Sequence, residues 1–117
     1  MSRLLLTLFR SSRPAQLLVV TMVYALGIVI ALAKGIPYDL TAVLWGFAAL
    51  IPISTSIHYI NEYADYETDG LTKQTPFSGG SGALHQAGLP RRLVLHAAWS
   101  ALIIGAVITL SGYAVRQ

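Results

Sequence analysis

Three long apolar stretches constrain this chain more than any other feature of its sequence. They cover residues 15–33, 40–60 and 93–114, and none of them contains an Asp, Glu, Lys or Arg. Each is close to the ~20 residues that a helix needs to cross the ~30 Å hydrocarbon core of a bilayer. Only helices and closed barrels span lipid, and continuous apolar runs without period-two alternation argue against strands. We therefore expect an all-α membrane protein with three transmembrane helices.

The composition agrees with that expectation. Only 11% of the 117 residues are charged and 55% are hydrophobic, whereas about 25% of the residues in an average soluble domain are charged. Since a small soluble domain leaves much of its surface in water, this chain has too little polar material to cover itself. The same numbers exclude a disordered chain. The absence of cysteine excludes a disulfide framework and a thiolate metal site. We expect a single membrane domain over residues 1–117.

The distribution of basic residues predicts the orientation of the helices. Six of the eight lie in the N-terminal segment or in the connection 61–92, and these are Arg3, Arg10, Arg13, Lys73, Arg91 and Arg92. The first loop and the C-terminal tail contain only Lys34 and Arg116. Because basic loops remain in the cytoplasm, we expect the N-terminus and the loop 61–92 to be cytoplasmic. Arg91 and Arg92, at the start of the third helix, are expected to act as anchors at the membrane surface rather than as ligands.

The first apolar stretch also permits a second interpretation. Arginines precede it, and residues 31–33 (Ala-Leu-Ala) match the A-x-A pattern of a signal-peptide cleavage site. The basic region is long, and the apolar run exceeds the usual core of a signal peptide. We therefore favour an uncleaved first helix.

Four of the five acidic residues lie just after the second apolar stretch. If the second helix, over about 40–60, continues to about residue 69, then Asn61, Asp65 and Asp69 form one stripe at i, i+4 and i+8. Ser54 and His58 extend that stripe into the membrane. The aspartates repel one another and face the negative end of the helix dipole, and a divalent cation between them removes both penalties.

Carboxylate and amide oxygens, often with a substrate phosphate, are the usual ligands of Mg²⁺. The stripe therefore predicts a magnesium site, and an equally weighted alternative is a solvated helix end. A calcium-binding EF-hand is a poor match for residues 65–70, because position twelve of that loop requires a bidentate glutamate and is occupied by Pro76.

The segment after the acids has the composition of an anion-binding loop. Lys73 is followed by Pro-Phe-Ser-Gly-Gly-Ser-Gly at 76–82, in which glycines allow backbone N–H groups to turn towards an anion and serines add hydroxyl donors. A flexible linker has a similar composition. Beside the carboxylate stripe and the basic residues, the segment favours a site for a diphosphate and a metal.

These residues together carry a family resemblance. The pattern Asn61-Glu62-x-x-Asp65-x-x-x-Asp69, placed directly after a second membrane helix and before the loop 76–82, resembles the first signature of the UbiA superfamily of intramembrane prenyltransferases. That signature is N-D-x-x-D-x-x-x-D, so this chain departs from it at Glu62. Because position 62 lies off the stripe, we expect the exchange to be tolerated. The resemblance covers the whole chain in order.

The resemblance implies a bundle of nine transmembrane helices, of which this chain supplies the first three. Members of the family use Mg²⁺ to transfer a polyprenyl group from a prenyl diphosphate to an aromatic acceptor such as a quinone precursor. By that resemblance, Asp65 and Asp69 are catalytic and bind Mg²⁺ together with Asn61, while Asn61 and Lys73 contact the diphosphate. The expected partners are the prenyl diphosphate, the aromatic acceptor and the lipid bilayer, and no nucleic acid.

The chain is short for such an enzyme. Nine spans with their loops need roughly 280 residues, and no carboxylate follows Asp69 to form a second acidic motif. We expect an amino-terminal fragment, or a truncated copy that is inactive or needs a partner chain, and no activity from these residues alone. The alternative is a small non-enzymatic membrane protein or accessory subunit of three helices whose acidic loop binds a cation.

Overall fold

The computed structural model of the protein describes residues 2–69, 71 and 81–116. Within these ranges the chain is helical and contains no strand, as the apolar runs predict. The helices are α1 (Ser2–Ser11), α2 (Pro14–Ala33), α3 (Leu40–Ala64), α4 (Tyr66–Asp69), α5 (Ala83–Ala87) and α6 (Arg92–Arg116).

Three of these helices, α2, α3 and α6, are long and apolar enough to cross a membrane. They coincide with the three predicted stretches. Helix α3 extends beyond residue 60 as expected, but it ends at Ala64 with Asp65 at its C-cap, and the four-residue helix α4 follows. The expected continuation of one helix to about residue 69 is therefore interrupted at Asp65.

Local chemistry explains where the helices begin. Pro14 occupies the first turn of α2, where its missing N–H costs nothing. The preceding residue, Arg13, adopts a left-handed conformation with φ of 54°, which makes a sharp corner between α1 and α2. Asp39 caps α3, because its side chain accepts a hydrogen bond from the backbone N–H of Ala42 at 3.1 Å.

The pair formed by α3 and α6 is the packed centre of the fold. Ala98, Gly105 and Gly112 lie seven residues apart on α6, and all three are buried. A Cβ atom on Gly105 would lie only 2.5 Å from Cγ1 of Ile53, and one on Gly112 would lie 3.1 Å from Cε3 of Trp45. Small residues at such a spacing let two helix backbones approach closely, as is typical of membrane helices.

Helix α2 packs less closely than this pair. None of its residues is buried. It touches α3 through Tyr24, whose hydroxyl donates to the carbonyl of Val43 at 2.9 Å and whose ring lies 6.2 Å from that of Phe47. Large apolar side chains of α2, including Met22 and Val23, are consequently exposed. Such a surface suits contact with lipid or with further helices.

The N-terminal helix α1 was not anticipated from the basic character of its sequence. It lies where α3 ends and α6 begins, and the Tyr59 hydroxyl donates to the carbonyl of Leu8 at 3.0 Å. Leu8 also packs against a small buried cluster that contains Tyr59, Leu84 and Val94. Helices α1 and α5 therefore close this end of the α3–α6 pair.

The close approach of α3 and α6 predicts a difference between two glycines. We expect Gly105→Ala to destabilise the protein by about 1–3 kcal/mol, because the added methyl overlaps Ile53. Gly27→Ala is the matched control, since nothing lies within 4 Å of its added Cβ and alanine favours a helix by about 1 kcal/mol. Unfolding in detergent measures both, and equal stability of the two variants would contradict the packing described.

An exposed ion pair at the other end of the α3–α6 pair predicts a pH effect. Arg116 donates to Asp39 at 2.6 Å, and this hydrogen bond, followed by that from Ala42, lowers the pKa of the Asp39 carboxyl below its ordinary value. The stability that Asp39 contributes is therefore complete above the ordinary pKa and is lost as the pH falls through the lowered one. We expect Arg116→Gln to raise the pKa of Asp39 in an NMR titration, whereas Arg92→Gln, at the opposite end, leaves it unchanged.

Candidate functional site

Neighbouring side chains at the end of α3 have opposite environments. Asn61 and Asp65 are exposed, whereas Glu62 between them is only 3% exposed. Within the described part of the chain, neither Asn61 nor Asp65 has a side-chain hydrogen bond or an ion pair. Two of the three residues of the predicted stripe are therefore free to accept a ligand.

Glu62 is fully engaged inside the protein. Its Oε1 atom accepts a hydrogen bond from Nε of Arg13 at 3.0 Å and one from the backbone N–H of Ser81 at 2.9 Å. Its Oε2 atom accepts from the Ser81 hydroxyl at 2.9 Å. A buried carboxylate is tolerable only when it is paired in this way. The contacts join the corner before α2, the end of α3 and the segment before α5.

The sequence placed Glu62 off the Asn61–Asp65 stripe, and the difference in burial agrees with that placement. The pattern did not reveal that Glu62 holds three segments together. Arg13 was the sequence feature that could have indicated this role, since a basic residue at the same end of the helices is a natural partner for a buried acid. That glutamate is tolerated at position 62 in place of the aspartate of the resembled signature stays a prediction.

The segment before α6 packs on the C-terminal turn of α3. Arg91 donates to the backbone carbonyl of Tyr63 at 2.6 Å, and its guanidinium lies 4.4 Å from the centre of the Tyr63 ring. His85 stacks on Tyr66 with 4.1 Å between ring centres. The Arg91 hydrogen bond satisfies a carbonyl that the end of α3 leaves free. Arg91 therefore has a structural contact with the end of α3.

The remaining predicted site residues lie at or beyond the limits of the described chain. Asp69 is the last residue of α4, but its side chain is outside the described part. Lys73 and residues 76–80 of the predicted anion loop also lie outside the described residues. Of that loop, the structure places Ser81 on Glu62 and Gly82 in a left-handed conformation with φ of 67° before α5.

Ser54 and His58, which extend the stripe along α3, are both buried. Among the described residues, neither ring nitrogen of His58 has a hydrogen-bond partner. The stripe thus runs from exposed side chains at Asn61 and Asp65 into the protein interior.

The chemistry of the exposed pair fits Mg²⁺. Asn61 and Asp65 present an amide and a carboxylate one helical turn apart, and hard oxygen donors are the ligands that this ion prefers. No group of three or more His, Cys, Asp or Glu side chains that could hold a metal occurs in the ranges described. Asn61 and Asp65 alone would not complete a Mg²⁺ site, and Asp69 is the further oxygen donor that the sequence predicts.

An open apolar groove of about 660 Å³ runs between α3 and α6. Leu8 and Tyr59 line it near α1, and Ile104 and Ile108 line it farther along α6. At ~100° per residue, Asp65 lies about 120° around the axis of α3 from Tyr59. The groove and the free oxygen donors therefore occupy different faces of the same helix.

Comparisons with known proteins give no family assignment. No protein-family description, no curated protein and no solved structure matches the chain.

The burial of Glu62 predicts a strong coupling with Arg13. We expect Arg13→Gln to destabilise the protein by about 3–5 kcal/mol, because it leaves the buried Glu62 carboxylate without its charged partner. Glu62→Ala should destabilise it less, because the Arg13 side chain that it leaves unpaired is 14% exposed. The double variant should lose much less stability than the sum of the losses from the two single variants. Arg92→Gln is the matched control, since Arg92 is exposed. Additive losses in a double-mutant cycle would show that the two side chains do not interact.

Proposed function

We propose that this chain is the first part of a multi-pass intramembrane prenyltransferase. Its reaction moves a polyprenyl group from a prenyl diphosphate to an aromatic acceptor such as a quinone precursor, with Mg²⁺ as cofactor. The proposal rests on the resemblance of residues 61–69 and 76–82 to the UbiA signature. The observation that carries it is the contrast between the free pair Asn61 and Asp65 and the engaged Glu62.

The difference between exposed Asp65 and buried Glu62 helps to explain why acidic residues follow the second apolar stretch. If the acidic residues served only to tie the helices together, Asp65 would be expected to have a partner as Glu62 does. If they only kept the loop in water, a cytoplasmic position against an anionic leaflet would be unfavourable for them. A bound cation would give Asp65 a partner and would neutralise its charge at the negative end of the α3 dipole.

The side chains have distinct roles in this proposal. Asn61, Asp65 and Asp69 would hold Mg²⁺, and Asn61 and Lys73 would contact the diphosphate. When bound, Mg²⁺ neutralises the negative charge that develops on the departing diphosphate. The bond that breaks joins the prenyl carbon to a diphosphate oxygen, and the acceptor carbon forms the new bond and loses a proton. A water-poor cavity, completed by further helices, would limit competing attack by water.

The contacts of Glu62 also support part of the proposed orientation. Arg13 precedes α2, Glu62 ends α3 and Ser81 follows the acidic segment, and all three meet in one network. If α2 and α3 span a bilayer, the N-terminal segment and the loop 61–92 lie on one side of it. The basic residues of both segments favour the cytoplasmic side.

The rest of the site would come from outside these residues. Exposed apolar side chains on α2 and α6, such as Val23 and Ile103, suit packing against further membrane helices or lipid. A second acidic motif from such helices or from a partner chain would complete the metal site, so we expect no turnover from this chain alone.

A non-enzymatic accessory subunit is the second candidate. The close α3–α6 packing and the Glu62 network favour it, because both can stabilise a three-helix unit without additional helices. This candidate predicts that Asp65 is dispensable for diphosphate binding.

Binding of a fluorescent prenyl diphosphate to the chain in lipid nanodiscs distinguishes the two candidates. We expect binding that requires Mg²⁺ and that Asp65→Asn weakens by roughly tenfold or more, because a metal ligand is lost. Glu67→Gln is the matched control, since it removes the same charge from an exposed position two residues away and should leave binding unchanged.

Two results would count against the enzyme proposal. Binding that is independent of both Mg²⁺ and Asp65 would indicate simple partition of the prenyl chain into the membrane. Equal losses of prenyl diphosphate binding in Asp65→Asn and Glu67→Gln would indicate a general effect of negative charge rather than a metal site.

A further inference from the structure

Helix α1 exposes its more apolar face. Leu5, Leu6 and Phe9 are 58%, 58% and 60% exposed and lie on one stripe, at i, i+1 and i+4. Thr7 and Ser11, on the opposite side, are buried. An amphipathic helix on a soluble protein has the reverse arrangement, with its apolar stripe towards the core.

Hydrogen bonds hold α1 to the rest of the chain beside the apolar contacts of Leu8. Arg10 donates to Oε1 of Gln86 at 2.6 Å and reaches the carbonyl of Ser81 at 3.4 Å. The Tyr59 hydroxyl donates to the carbonyl of Leu8 at 3.0 Å. These bonds fix which side of α1 faces the protein, so the outward direction of the leucine and phenylalanine side chains is set by the fold.

The position of α1 is set by its connection to α2. Ser12 and Arg13 form the corner between the two helices, and α2 begins at Pro14, the first residue of a candidate membrane span. Helix α1 also touches the end of α3 and the start of α6, which are ends of the other two candidate spans. If these helices cross a bilayer, α1 lies at the level of its surface.

The charge of this region matches an anionic lipid surface. No acidic residue precedes Asp39, whereas Arg3 and Arg10 lie on α1 itself. Arg13, which follows α1, is paired with Glu62. Arg3 is exposed and available to lipid phosphates. Basic residues close to an anionic leaflet are attracted to it, and an apolar face of leucine and phenylalanine inserts at the boundary between headgroups and acyl chains.

We propose that α1 is an interfacial helix whose face of Leu5, Leu6 and Phe9 inserts into an anionic membrane leaflet. The occupant of this face is lipid, rather than a second copy of the chain or a soluble partner. This inference rests on the membrane-spanning part of the proposed function and is independent of prenyl transfer.

Single cysteines test this proposal directly, because the chain has none of its own. We would place a fluorescent label at Phe9→Cys and, in a second variant, at Leu5→Cys, in nanodiscs of phosphatidylcholine and phosphatidylglycerol. Val23→Cys on α2 and Glu67→Cys on α4 are the controls, and both positions are exposed. Quenching by lipid-attached nitroxides is compared with quenching by iodide in the water.

We expect labels at positions 5 and 9 to be quenched by nitroxides near the headgroups and to be protected from iodide. The label at position 23 should respond to nitroxides deep in the acyl region, and that at position 67 should respond to iodide. Arg3→Gln should shift the position 9 label towards iodide in anionic nanodiscs, whereas in phosphatidylcholine alone it should change little.

Three results would overturn the proposal. Iodide quenching at positions 5 and 9 would show a face in water, and protection from both quenchers would show a face covered by protein. An equal effect of Arg3→Gln in both lipid mixtures would exclude recognition of anionic lipid. If the label at position 23 also responds to iodide, α2 does not cross the membrane, and the proposed membrane function is contradicted as well. If position 23 lies in lipid and positions 5 and 9 do not, only the inference about α1 fails.

Discussion

The buried carboxylate of Glu62 is the constraint on which the arrangement of one end of this protein depends. Burying a charge carries a large desolvation cost unless donors surround it, and here the donors come from Arg13 and Ser81. To supply them, the chain makes a left-handed corner at Arg13 and returns to α3 at Ser81. Together with the contacts of Tyr59 and Arg10, the Glu62 side chain joins the corner before α2, the end of α3 and the segment before α5.

The three long helices could be predicted from the sequence because their apolar runs contain no charge and match the thickness of a bilayer. Helix α1 could not be anticipated from basic character alone. Leu5, Leu6 and Phe9 share one side of the helix, but they face outward, so the usual inference from an apolar stripe to a buried face does not apply. The interruption of α3 at Asp65 was also missed, because periodicity shows which residues share a face and not where a helix ends.

The candidate site stays a prediction, and the structure describes the surroundings of only part of it. Spacing placed Asn61 and Asp65 together, and the structure finds both exposed and without partners in the described part of the chain. The structural role of Glu62 required knowledge of contacts between residues far apart in the sequence, which periodicity does not provide. Asp69 and Lys73 keep the status of predictions, since the side chain of the first and all of the second lie outside the described residues.

The same network has a consequence for the order of events during synthesis. Arg13 is made early, whereas Ser81 is made only after both α2 and α3 have been completed. Until then, the Glu62 carboxylate lacks two of its three hydrogen bonds and can remain hydrated. This end of the protein therefore closes late in biogenesis. Helices α2 and α3 are made first, and only afterwards does Ser81 supply the last two hydrogen bonds to Glu62.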